Sequence, residues 1–189
     1  MTGEAIRQSA RVINGAQDSG NADYVEIVTD EEVELIESLL GTAFVICQTN
    51  ITYVVSRIKD LHSFFRKREG RPLGALGCSK EAILKQGSDS LPGSAYSIVE
   101  AIDAFANYFK HRDEWPSDWT LLSSHQAHTR DIISACGASA GSTGNLRAGA
   151  EALGNSGYDA VLLLAEQLEV WRARLVTAHE EELKREGVI

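Results

Sequence analysis

Residues 107–115, NYFKHRDEW, set one histidine between a lysine and an arginine and follow it with two acids and a tryptophan. Histidine, with an ordinary pKa near about 6.5, can move protons at neutral pH. The flanking cations Lys110 and Arg112 suit it to a phosphodiester, and the amide of Asn107 stands one helical turn before it. The chemistry these residues could do is proton transfer on an anionic chain, or simple binding of one. Asp113 and Glu114 work against the cations.

Such a cluster needs a helix to carry it. At about 100° per residue, Ile98, Val99, Ile102, Phe105, Ala106 and Phe109 gather on one side of a helix over residues 94–112, which is the core face. Asp103, Asn107 and His111, spaced i, i+4, i+8, fall opposite, with Lys110 and Glu114 beside them. The wheel predicts a polar stripe that is continuous and open to solvent. The plainer reading is a solvated face on which Lys110 and Glu114 pair at i, i+4 for about 0.2–0.5 kcal/mol.

The rest of the chain supplies more helices. Thr29 and Glu32 fit a capping box ahead of Ile36, Leu40, Ala43, Cys47, Ile51, Val54, Ile58, Leu61 and Phe65, at steps of three and four. That run predicts a helix of about 60 Å to the Gly70–Pro72 stop if unbroken, with the β-branched ITYVV inviting a kink or a break near 48–52. A short helix is expected from Ser79 to about Gln86, and Ser94 is the expected cap of the next. Further helices are expected at about 122–135, over NLRAGAEALG, and from Tyr158 to about Arg185. Residues 1–28 read as a weakly ordered segment with a short helix before Gly15, and residues 29–189 as one helical domain. The fold class is all-α: an antiparallel helical bundle with one long helix and short accessory helices.

Composition narrows the class. The 189 residues are 43% apolar and 24% charged, with a net charge of −9, which argues against an indiscriminate nucleic-acid binder. Residues 57–71 go the other way: Arg57, Lys59, Arg66, Lys67, Arg68 and Arg71 face only Asp60 and Glu69, a local balance of +4. Arg66, Lys67, Arg68 and Arg71 either hold a phosphate chain, with strong salt dependence, or complement the dipole of a helix C-terminus. Cys47, Cys78 and Cys136 have no CxxC spacing and read as reduced thiols. No apolar leader opens the chain and no uninterrupted apolar run approaches about 18 residues, so a cytoplasmic protein without a membrane partner is expected.

Other constellations are weaker. His125 and His128 form H-x-x-H with Cys136 downstream, a zinc pattern, yet Leu121, His125, His128 and Ile132 share a helical face, which favours packing. GASAGSTG lacks the Lys-Ser/Thr ending of a phosphate-binding loop. Ser123 and Ser124 point away from His125 on a helix. Trp115 and Trp119 either stack a base or pack the loop around Pro116 onto the bundle. No metal and no cofactor are expected.

A-N-Y-F-K-H, residues 106–111, resembles the signature of the HEPN domain (higher eukaryotes and prokaryotes nucleotide-binding). That family is an all-α bundle, often dimeric, of toxin–antitoxin and antiviral defence systems, and many members are metal-independent ribonucleases. Its motif is an arginine, four to six residues, then a histidine, commonly with asparagine after the arginine. Asn107 and His111 match, whereas Ala106 holds the arginine position and no arginine occurs over 72–111. The resemblance implies His111 as general base on a ribose 2′-OH, with Arg112 as the nearest cation to stabilise the phosphate. Lys110, Arg66, Lys67, Arg68 and Arg71 would hold the RNA. It also implies a homodimer, which the long apolar stripe of the helix supports, and a partner protein from the same operon. The competing expectation is a non-enzymatic helical interaction module: an antitoxin, sensor or assembly subunit.

Overall fold

A computed structural model describes residues 2–74, 76–155 and 159–189. Its spine is α2, Ala22–Glu69, 48 residues without a break, about 72 Å at 1.5 Å per residue. Asn21, not Thr29, caps it: the Asn21 side chain accepts the Tyr24 N–H, and the Thr29–Glu32 pair lies inside the helix. The expected start was therefore eight residues late, because an asparagine with a free acceptor upstream serves the first turn equally well. Gly70, at φ 70°, closes the other end by giving its N–H to Arg66 O, as the Gly–Pro stop foretold. The β-branched 51–55 run does not break the helix. Ile51, Val54 and Val55 are all buried, and tertiary packing outweighs their weak helix propensity.

The remaining helices surround this spine. They are α1 (Thr2–Asp18), α3 (Lys80–Lys85), α4 (Ile98–Lys110), α5 (Ser124–Ala135), α6 (Asn145–Ala152) and α7 (Ala160–Arg185). Two 3-10 turns, Arg112–Glu114 and Trp119–Leu121, link α4 to α5. No strand occurs among the described residues, only a Ser90–Ser97 bridge, so the chain is all-α. α1 runs past Gly15, longer than expected, and buries Ile6 and Ala16. Tyr158 lies outside the described residues.

Ser97 rather than Ser94 caps α4. Its hydroxyl accepts the Glu100 N–H while the Glu100 carboxylate accepts the Ser97 N–H, a complete capping box. Ser94 instead shapes the preceding turn, donating to Leu91 O and accepting the Tyr96 N–H. Starting three residues later changes the first turn but not the wheel: the expected core-face residues all pack in the core, but burial runs all round the helix from Val99 to Ala106.

Packing fixes the directions. Gly41 of α2 lies against Phe109 and Gln48 reaches Asp103, so α4 runs antiparallel to α2. A Cβ on Gly41 would stand 2.2 Å from the Phe109 ring, and one on Gly149 would stand 2.4 Å from Phe105. These two glycines let the helices close in. Phe44 stacks on Phe105 at 5.2 Å between ring centres, within a core that includes Ile51, Ile102, Ile133, Leu146, Leu164 and Trp171. α2 also holds an 18-residue window of mean hydropathy 1.4, half of it buried inside the bundle.

α7 runs alongside α2, and near their C-terminal ends His62 and His179 meet, Nε2 to Nε2, at 3.3 Å. Both are buried, and His179 Nδ1 lies 2.9 Å from Leu175 O. Burial, then the neighbouring His179 and Arg66, hold the His62 imidazole below its ordinary pKa of 6.5. The folded protein therefore takes a proton at His62 only at a lower pH than the unfolded chain, which does so as pH falls through about 6.5. This stabilisation is complete above that pH and is lost below it. Thermal melts from pH 8 to 5.5 should show the Tm falling on the acid side, and the fall should flatten in the His62→Gln/His179→Gln double variant.

Candidate functional site

The polar stripe of α4 forms one wall of a cleft against α5, and it is less open than its spacing suggested. Asp103 is only 7% exposed. Gln48 Nε2 donates to its carboxylate at 3.0 Å and Lys80 Nζ at 2.6 Å. The same Gln48 amide donates to Asn107 Oδ1 at 2.9 Å. A helical wheel treats α4 in isolation, but here Gln48 from α2 and Lys80 from α3 close over its polar side. The buried carboxylate is thereby paired and hydrogen-bonded, as burial requires. Asn107 is half-buried, and of the three only His111 is exposed.

His111 is the C-cap of α4, its N–H turned to Asn107 O and Tyr108 O. Its Nδ1 lies 3.1 Å from Glu114 Oε1, so Glu114 engages the imidazole rather than forming the expected pair with Lys110. The 3-10 turn at Arg112–Glu114 explains this, because it tightens the chain and returns the acid at i+3. Asn107, His111, Glu114, Trp115, Ser123, Gln126 and Thr129 line a depression of about 450 Å³. None of its lining residues is a lysine or arginine.

Arg112 does not join that depression. Its guanidinium sits over the Phe109 ring, 5.3 Å from the centre. It lines a different hollow with Asp30, Glu34, Glu37 and Tyr108. Ala106, at the arginine position of the resemblance, is fully buried. The basic strip is remote as well. Gly41 marks the level of Phe109 on α2, and Arg66 lies 25 residues further on, about 37 Å along a straight helix. Asn107 and His111 are thus brought together, while Arg112, Arg66, Lys67, Arg68 and Arg71 are not brought to them. Lys110 is exposed at the end of α4. At the far end, Arg71 pairs with Glu186 and Arg68 with Glu69.

The remaining motifs settle into structural places. Trp119 is buried, and Trp115 packs edge-on to both Trp119 and Tyr108, with ring centres 5.3 and 5.0 Å apart. The loop around Pro116 is therefore held down on the bundle. His128 meets Tyr96 edge-on, and the side chain of His125 lies outside the described residues. Cys136 is buried, and burial pushes its thiol up to about 11. Among the described residues no three His, Cys, Asp or Glu side chains are grouped to hold a metal ion.

One functional-looking carboxylate escaped the sequence reading. Glu37 is 8% exposed and accepts the N–H groups of Leu146 and Arg147, both at 2.9 Å. It caps the N-terminus of α6, whose own preceding residue, Gly144, has no side chain to do so. Burial raises its pKa above the ordinary carboxylate value, opposed by those two bonds and by Arg147 and Arg112. A partner more than 100 positions away leaves no local signal.

Comparison with protein-family models, curated proteins and solved structures finds no significant match to this chain.

Proposed function

We propose that this protein is a non-enzymatic helical interaction module, an antitoxin, sensor or assembly subunit acting in the cytoplasm, and not a working ribonuclease. The observation that carries this is that no cation is aimed into the depression that holds His111. His111 lies in a depression lined by no lysine or arginine, and Arg112 lies over Phe109 in another. Phosphoryl transfer needs donors aimed at the charge that develops on the phosphate, and losing one typically costs about 10²–10³ in rate. In this reading the HEPN resemblance describes a scaffold whose catalytic cation is replaced by a core alanine. The internal bonding of Gln48, Asp103 and Lys80 fits the same view, since groups engaged with one another are not free for a substrate.

One feature favours the ribonuclease alternative: an exposed imidazole paired with a carboxylate is a competent acid–base couple. The test is incubation of the full chain with labelled single-stranded RNA in EDTA. No cleavage above buffer is expected, with any retention of RNA at low salt disappearing as salt rises. Metal-free cleavage that is lost in His111→Ala, with the helical spectrum unchanged, would overturn the proposal.

A further inference from the structure

Over residues 30–69 the outer face of α2 carries large apolar side chains that no described residue covers: Leu35 is 46% exposed, Ile46 66%, Tyr53 65% and Phe64 62%, while Tyr24 at 50% and Ile27 at 59% lie nearer the N-terminus of the helix. The spacing of the first four is 11, 7 and 11 residues. At about 100° per residue each step returns to within about 20° of the same line, so the four form one straight stripe about 44 Å long. Within residues 30–69, the part of the helix that a two-fold-related copy can overlap, the order is palindromic about the Thr49–Asn50 bond. A surface that reads the same in both directions is what a two-fold, self-complementary contact requires.

The charges have the matching asymmetry. Residues 22–34 hold Asp23, Glu26, Asp30, Glu31, Glu32 and Glu34 and no lysine or arginine. From 35 to 56 the only charged residue is Glu37, which is buried. Residues 57–71 carry the balance of +4. An antiparallel copy of the same helix therefore sets acid against base at both ends of an uncharged centre, while a parallel copy sets like against like.

We infer that α2 is the interface of a homodimer, antiparallel and centred between Thr49 and Asn50. Ile46 then lies opposite Tyr53 of the second copy, Leu35 opposite its Phe64, and Glu31 opposite its Arg68. Thr49 and Asn50 at the centre allow close approach of the two backbones. Residues 30–69 overlap their mates over about 60 Å, and a strip about 10–12 Å wide covers about 1,200–1,400 Å² in all, within the range of specific interfaces. Gln48, about 160° around the helix from Ile46, faces α4. The dimer therefore leaves the His111 depression of each protomer facing away from the other. The inference rests on the interaction-module reading and names its first partner as a second copy of this chain.

Light scattering on the full chain at micromolar concentration should give about twice the 20.6 kDa chain mass. Ile46→Glu, at a site exposed in the protomer, should return the mass to the monomer with an unchanged helical spectrum. Glu31→Arg should weaken the dimer about tenfold or more, and Glu31→Arg/Arg68→Glu should restore it, because only this register pairs the two. A monomer at every concentration overturns the inference, and flotation of that monomer with phosphatidylcholine vesicles would assign the stripe to lipid. A dimer indifferent to Ile46→Glu, or a charge swap without rescue, overturns the register. None of these outcomes bears on RNA cleavage, which decides the module reading separately.

Discussion

Ala106→Arg is expected to unfold the protein rather than give it catalysis. Ala106 and its neighbour Phe105 are fully buried on the core face of α4, with Gly149 held tightly against the Phe105 ring. An arginine there must either force a long side chain into filled space, at about 1–3 kcal/mol or more, or bury a guanidinium with no partner, at several kcal/mol. Set against a total stability of about 5–15 kcal/mol, the sum removes most of the fold. Circular dichroism should show loss of the cooperative melt, and the variant should lack metal-free ribonuclease activity. Thr129→Arg is the informative companion. Thr129 sits part-exposed on α5 at the edge of the His111 depression, so a cation placed there should leave the melt nearly unchanged. A folded, stable Ala106→Arg protein would mean that α4 is turned differently from the packing described above.

Trp171→Ala is expected to cost about 3–5 kcal/mol, the range for removing a fully buried large aromatic. Trp171 is 1% exposed on α7, and its Nε1–H donates to Gln86 O at 3.0 Å, tying the end of α3 to α7. Gly87, next in the chain, comes so near that a Cβ would stand 3.2 Å from the Leu175 backbone nitrogen. In a chain of this length about 2–4 °C of Tm goes with each kcal/mol, so a fall of about 10 °C is the expected reading. Trp171→Phe separates the contributions: it keeps most of the apolar volume and loses the donor, at about 1–2 kcal/mol. Equal losses in the two variants would place the whole effect in the hydrogen bond and none in the packing.

Sequence alone determined the all-α class and the places where α2, α5 and α7 stop. It also determined which apolar residues of α4 join the core and that a short helix begins near Ser79. Each rests on groups within about four residues of one another: a 3.6-residue period, a hydroxyl reaching the third N–H, or a glycine free to turn left-handed at 70. Only local geometry is needed to read them. Thr29 and Ser94 were the expected caps, and the observed ones, Asn21 and Ser97, carry a local signal of the same kind that lies a few residues away.

The candidate site was legible as a list of residues but not as an arrangement. Asp103 is buried by Gln48, 55 positions earlier, and by Lys80, 23 positions earlier. Arg112 is adjacent to His111 in sequence, yet stands over Phe109 in a separate hollow. The basic residues that follow Asp60 are carried about 37 Å from the histidine by an unbroken helix. Glu37 finds α6, and His62 finds His179, across more than 100 residues. Charge, hydrogen-bonding capacity and period belong to the residue and its near neighbours. Which groups share a cavity, and which are buried, is decided by how the helices pack, because burial and electrostatic coupling depend on distance in space rather than along the chain.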